Sequence, residues 1–284
     1  MLEEVPAAIG GYRVVRELGR GGMGAVFEVR DPNELPFALK VMTESSPERP
    51  DLVERLRREA RAAEMIASDH VVRVFSMGFA DELRGAPFLV MELLDGATVA
   101  THLAKHGPMM PERVCAIVSH VGHALDRAHA VGIVHRDLKP ENLFIHRNEH
   151  GHEIVKVLDF GVARLLDDDA TAITATGATI GSLHYMPPEQ TDSQKNAIGP
   201  QADVWAMGMI ALELLTGERY WGKAKPTAII DTLMAGNWPP PRAKWPRLPP
   251  AIDAWFARSC ARQPAARFAS IGEQAAALAQ VLRQ

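Results

Sequence analysis

The run His135-Arg136-Asp137-Leu138-Lys139-Pro140-Glu141-Asn142 packs two carboxylates, two strong cations and an amide into eight residues. Seventeen residues past Asn142 comes Asp159-Phe160-Gly161, directly after the apolar stretch Ile154-Val155-Lys156-Val157-Leu158. Asp137 is a candidate base, while Asn142 and Asp159 offer the oxygen atoms that a hard divalent cation takes. Two acids and one amide on a short hairpin meet the needs of metal-assisted phosphoryl transfer, which depends on positioning and charge neutralisation. A merely polar loop explains the residue types but not their order and spacing.

A second group of residues lies upstream. Gly19-Arg20-Gly21-Gly22-Met23-Gly24-Ala25-Val26 fits the pattern G-x-G-x-x-G-x-V. Dinucleotide sites share that core but require a helix after the glycines, whereas Ala25 to Val29 reads as a strand. A hairpin flap fits better, its bare backbone letting N–H groups approach phosphate oxygens. Lys40 then stands inside the apolar strand Pro36 to Met42, where an unpaired ammonium would be costly to bury. A phosphate on one side and a carboxylate on the other would resolve that cost. Glu59 is the best carboxylate, with Glu54 and Glu64 as alternatives that differ only in helix face.

The elements that must position these groups change character near residue 94. Tyr12 to Leu18, Ala25 to Val29, Pro36 to Met42, Val71 to Phe75 and Phe88 to Met91 read as strands. One helix interrupts them, Leu52 to Ile66, with Asp51 as its cap. Beyond Asp95-Gly96 the periodicity is helical. Val114, Ile117, Val118, Val121, Leu125 and Ala128 share a face, Val204 to Leu215 is nearly all apolar, and Pro250 to Cys260 and Ser270 to Leu282 complete the set. The pattern predicts a small β lobe ahead of a larger α lobe, with a cleft between them.

Composition narrows the classes. A chain of 284 residues, 47% hydrophobic and 23% charged, is ordinary for a soluble globular protein. A net charge of -4 with both signs interspersed gives no nucleic-acid or membrane-surface footprint. Cys115 and Cys260, each in a predicted helix, read as buried thiols in a reducing compartment. No apolar run reaches the ~18 residues that span a bilayer, and Met1-Leu2-Glu3-Glu4 lacks the basic start of a signal peptide, so a cytoplasmic location is expected.

Taken together, these motifs resemble the eukaryotic-like (Hanks-type) serine/threonine protein kinases of the bacterial branch. The resemblance covers about residues 10 to 282 and extends to Pro187-Pro188-Glu189, Asp203-Val204-Trp205 and Arg267, all in family order. It implies an α+β, two-lobed protein-kinase fold over residues 12–284. The small antiparallel β lobe with one main helix spans about 12–93 and the mainly α lobe about 95–284, with residues 1–11 as an extension. Lys40 is then expected to hold the α- and β-phosphates of ATP and pair with Glu59. Asp137 takes the acceptor hydroxyl's proton, and Asn142 and Asp159 hold Mg²⁺, with Mn²⁺ as an alternative. Lys139 matches the lysine that serine/threonine-directed members place near the transferred group, and Lys-Pro-Glu after Asp137 disfavours tyrosine. Gly19, Gly21 and Gly24 cover the phosphates. Val26, Ala38 and Leu143 sandwich adenine, Met91 lies behind it, and Glu92 to Leu94 form the hinge that bonds the base.

The same resemblance makes Asp159 to Glu189 a regulatory segment. Thr174 and Thr176 match paired activation-loop sites, and Arg136 and Arg164 are the cations that would clamp their phosphates after autophosphorylation. Glu189 and Arg267 form a structural salt bridge, and Asp203 anchors the catalytic loop. Ser182 stands where threonine is usual, and Pro187 where alanine is usual; both leave the acceptor consensus open. His146, His150 and His152 read as a solvated turn, and the Trp238-Pro239-Pro240-Pro241-Arg242 stretch as a connection between helices. Protein substrates bearing Ser or Thr are the implied partners. A homodimer through the small lobes occurs in bacterial relatives, although no residue pattern here marks one. A pseudokinase scaffold would lack Lys40, Asp137 or Asp159, and a small-molecule kinase would lack Lys139 and Pro188-Glu189; all are present.

Overall fold

The computed structural model describes residues 6–21, 24–42, 50–160, 164–165, 182–191 and 198–283, with the backbone alone at 50–52, 55, 164 and 165. The small lobe is a six-stranded antiparallel sheet in the order β1-β2-β3-β4-β6-β5. Its strands are β1 (Ala8–Ile9), β2 (Tyr12–Gly21), β3 (Gly24–Arg30), β4 (Pro36–Val41), β5 (Val74–Ala80) and β6 (Ala86–Met91). Phe27, Val29, Leu39, Val41, Phe88 and Val90 fill one face, joined by Ile9, which lies ahead of the expected start at Tyr12 and is fully buried. Helix α1 (Pro50–Ile66) crosses the sheet, with Leu56 seated against Met42 and Leu89. It begins at Pro50 rather than after an Asp51 cap, because proline's fixed φ suits a first helical turn.

The strand expected at Val71 to Phe75 lies later, at Val74–Ala80. Val71 and Val72 instead couple the lobes. Val72 N–H donates to the Val157 carbonyl at 3.1 Å, and Val71 forms a parallel bridge with Val157. Two β-branched residues thus serve strand geometry, but against the large lobe.

The large lobe begins with β7 (Gly96–Thr98) and α2 (Val99–His106), then the long α3 (Pro111–Ala130). Two short strands follow, β8 (Ile133–Val134) and β9 (Leu143–Arg147), and β9 pairs with β10 (Glu153–Val157). β8 pairs with β11 (Arg164–Leu165). The remaining helices are α4 (Pro188–Thr191), α5 (Gln201–Thr216), α6 (Pro226–Ala235), α7 (Ile252–Ser259) and α8 (Ile271–Leu282). α5 is nearly all apolar and central: Val204, Trp205, Met207, Ile210 and Leu212 are all completely buried. The proline-rich connection packs down onto it, Trp238 meeting Trp205 edge-on at 5.3 Å. The described chain is thus an α+β fold of a small β lobe and a larger helical lobe, as the sequence pattern implies.

Candidate active site

The β9–β10 hairpin solves the spacing problem in the sequence. Leu143 pairs with Val157, so Asn142 and Leu158 face each other at its open end, where the Leu158 N–H donates to the Asn142 carbonyl at 2.8 Å. Asp159 follows at once, which places it beside the loop carrying Asp137. That loop hangs from α5. The Asp203 carboxylate, fully buried, accepts from the backbone N–H of His135 (2.9 Å), the N–H of Arg136 (2.9 Å) and the His129 ring Nε2 (2.8 Å). Burial opposes its charge, but the bond from His129 and the neighbouring His135 outweigh that and hold its pKa below the usual range.

The loop backbone is strained where chemistry would occur. Arg136 has φ +65° and Asp159 φ +58°, a left-handed conformation uncommon for residues with a Cβ. Such residues cost about 1–3 kcal/mol each and persist only where the surroundings enforce them. For Arg136 the enforcement is the Asp203 carboxylate on its N–H and the Gln190 side chain donating to its carbonyl at 3.0 Å. His135 ties the two halves together. Its Nδ1 accepts from the Asp137 N–H (3.3 Å) and its Nε2 donates to the Leu158 carbonyl (3.0 Å), the network assigning the Nε2–H tautomer. Phe160 packs edge-on against this ring at 5.0 Å and is buried.

Around Asp137 the polar groups converge. Lys139 Nζ donates to Asp137 Oδ2 at 2.7 Å and to Ser182 Oγ at 3.1 Å. Asn142 Nδ2 donates to the Asp137 carbonyl at 2.8 Å, which turns the amide's NH2 toward the loop and leaves its oxygen as a ligand atom. That oxygen and the Asp159 carboxylate form an oxygen-only donor set. It suits Mg²⁺, which favours one or two such ligands and completes its octahedron with water and phosphate oxygens. Among the described residues no group of three or more His, Cys, Asp or Glu side chains could hold a metal ion alone.

Across the cleft, Lys40 Nζ lies 3.2 Å from both carboxylate oxygens of Glu59 and also bonds Asp159. Glu54 pairs instead with Arg58, and Glu64 is exposed. Burial opposes the Lys40 charge, yet Asp159 and Glu59 outweigh it and keep the ammonium firmly protonated. Burial and the nearby Asp159 raise the Glu59 pKa in spite of Lys40. Asp159 is held below the usual range, its burial penalty overcome by Lys40. With 45% of the Asp159 side chain exposed, the lysine's charge outweighs desolvation there. One cation thus faces two carboxylates, an arrangement that gains from a further positive charge.

The glycine hairpin lies beside this group, Val26 opposite Lys40, with Gly19 opposite Val26 and Gly21 opposite Gly24. A Cβ on Gly24 would sit 2.0 Å from the Val41 carbonyl, so this glycine is required by packing; at Gly19 and Gly21 it would meet no protein atom. Those two therefore leave bare, unobstructed backbone. Ala38 on β4 stands opposite Met91 on β6, and Leu143 is completely buried below. The Glu92 N–H donates to the Arg73 carbonyl at 3.0 Å, and Leu94 follows in the connection to the large lobe.

Glu189 and Arg267 form a two-pronged pair at 2.6 and 2.8 Å, with side chains 7% and 0% exposed. Thr174, Thr176 and Gly161 lie outside the described residues, as does the side chain of Arg164. Sequence reasoning missed His129, whose signal is an imidazole in the last turn of an amphipathic helix. It also missed Lys156. Its Nζ donates to Glu92 at 2.6 Å, and Glu92 also accepts the Arg73 N–H at 2.7 Å. Lys156 sits in an apolar strand, the same signal that exposes Lys40.

The chain matches the family described as protein kinase domain over residues 12–273. It is 35% identical over 279 residues to the serine/threonine-protein kinase PknH of Mycobacterium tuberculosis (strain ATCC 25618 / H37Rv), covering 98% of this chain and 43% of that one. To the serine/threonine-protein kinase Pkn1 of Myxococcus xanthus it is 38% identical over 263 residues, covering 92% of this chain and 37% of that one. The chain therefore spans less than half the length of these curated relatives. The solved kinase domain of Mycobacterium tuberculosis PknI superposes with a TM-score of 0.71 at 26% identity, over 96% of each chain.

Proposed function

The chain belongs to the protein kinase family, and on that premise we propose that it transfers the γ-phosphoryl group of ATP to serine or threonine hydroxyls of proteins. The observation that carries this reading is the Lys139 ammonium, shared between Asp137 and Ser182 at 2.7 and 3.1 Å. It sets a cation beside the candidate base, where charge on the transferring group would develop. Mg²⁺ bound with ATP would neutralise β- and γ-phosphate oxygens, with Asn142 and Asp159 as its protein ligands. Lys40, oriented by Glu59, holds the α- and β-phosphates, and the bare backbone at Gly19 and Gly21 admits them. Asp137 receives the acceptor's proton. Val26, Ala38 and Leu143 enclose the base, which bonds the backbone between Glu92 and Leu94.

Replacing Glu59 tests the cleft. Glu59→Gln removes the charge that orients Lys40, and a hydrogen bond to a charged group contributes about 1.5–3 kcal/mol. Steady-state kinetics with varied ATP should therefore show kcat/KM lower by roughly tenfold to a hundredfold. Unaltered kcat/KM would remove Glu59 from the account.

Activation is proposed to run through phosphorylation of Thr174 and Thr176 by the enzyme itself, with Arg136 and Arg164 as phosphate partners. Thr174→Ala with Thr176→Ala should cut activity severalfold; equal initial rates after preincubation with ATP would refute it. A cytoplasmic setting fits Cys115 and Cys260, both free thiols, and no described helix is long and apolar enough to cross a membrane.

A further inference from the structure

Behind the acceptor side of the site lies a charge cluster that phosphoryl transfer does not use. Glu141 belongs to the catalytic loop, four residues past Asp137, so the two backbones are at most about 14 Å apart. Glu213 stands in the last turn of α5, only 9% exposed, between the completely buried Leu212 and Leu214. Tyr185, three residues beyond the Ser182 that bonds Lys139, donates its hydroxyl to Glu213 Oε2 at 2.6 Å. Burial pushes the Glu213 pKa up, and the Tyr185 bond and Arg219 only partly oppose it.

Arg219 enters this cluster from the loop after α5. Gly217 at φ +73° closes the helix, and Thr216 Oγ accepts the Glu218 N–H at 3.2 Å, which turns the chain back toward it. The guanidinium then lies 3.7 Å from Glu213 Oε1 and 3.7 Å from Glu141 Oε1. Both distances exceed those of a close charge-assisted bond, about 2.7–2.9 Å. His184 also borders the cluster, and burial and the Arg219 charge disfavour its protonation. Two carboxylates therefore share one cation, which the Tyr185 hydroxyl also contacts.

An extended acceptor chain covers about 3.3 Å per residue, so a residue within four positions of the hydroxyl at Asp137 can come alongside Glu141. A basic side chain there would enter the Glu141–Glu213 pair. We propose that Arg219 is a specificity-determining residue: it occupies the carboxylate pair that would otherwise select a basic residue near the acceptor, and so makes the enzyme tolerant of neutral acceptors. The proposal rests on the protein-kinase reading. It assigns Arg219 no part in the transfer step.

The test uses serine peptides of neutral sequence carrying one arginine at each of the three positions on either side of the acceptor. For the present chain, kcat/KM with and without the arginine should differ by no more than about threefold at every position, as an exposed ion pair allows. In Arg219→Ala and Arg219→Gln one position should gain on the order of tenfold, the equivalent of one charge-assisted bond, and should gain it in KM. Glu213→Gln added to Arg219→Ala should erase the gain, and Arg219→Lys should keep the original tolerance. Fluorescence anisotropy of labelled peptides gives the same ratios without catalysis. Absence of transfer to every peptide would fault the kinase reading, while the anisotropy ratios still decide the role of Arg219. A strong arginine preference in the unsubstituted chain, or no gained preference in either variant, would overturn the proposal.

Discussion

Asp137→Asn is expected to lower phosphoryl transfer by roughly 10²–10⁴-fold, the contribution of a positioned general base, with ATP affinity little changed. The substitution preserves shape, so the loop should keep its anchors on Asp203. What it removes is the carboxylate that Lys139 contacts at 2.7 Å and that would receive the acceptor's proton. Lys40, Glu59 and Asp159 are untouched, so nucleotide binding should survive. Single-turnover transfer from labelled ATP, alongside nucleotide titration, separates the two effects. Transfer at the original rate would mean that Asp137 is not the base. A matched loss of binding would mean that the substitution has disturbed the cleft instead.

The second large effect concerns stability. Arg267→Ala should cost about 3–5 kcal/mol, because removing one partner of a buried pair strands the other charge. Arg267 also donates to the carbonyls of Gln201 and Ala261, each at 2.8 Å, and its guanidinium lies over the Trp205 ring at 4.9 Å. Those contacts join the start of α5 to the segment before α8. For a domain of this size the melting temperature should fall by about 6–20 °C. Replacing both partners by apolar residues should restore part of that loss, since no uncompensated charge would remain. A drop of under a degree in calorimetry would show that the pair is dispensable.

How far the sequence reveals this molecule depends on whether a residue's reason is local. Lys40 is legible because a lysine in an apolar strand demands a counter-charge. Its partner is harder, since Glu54, Glu59 and Glu64 differ only in the face they occupy; Leu56, Ala62 and Ile66 mark the buried face that includes Glu59. α5 is legible because it is nearly all apolar. α2 is not: it is eight residues long and carries Thr101, His102 and Lys105, so its start is marked chiefly by the Thr98 hydroxyl accepting the Thr101 N–H. The misplaced strand at Val71 to Phe75 has a tertiary cause, because those valines bond Val157 of the other lobe. The Arg219 cluster is invisible in sequence, as its members come from four separate segments.

Phosphosite mapping by mass spectrometry, after incubating the chain and its Asp137→Asn variant with ATP and Mg²⁺, tests the central claim most directly. The account predicts phosphoserine or phosphothreonine on the unsubstituted chain or an added protein acceptor, and none on the variant. Phosphate on the variant at equal occupancy, or phosphotyrosine as the main product, would contradict it.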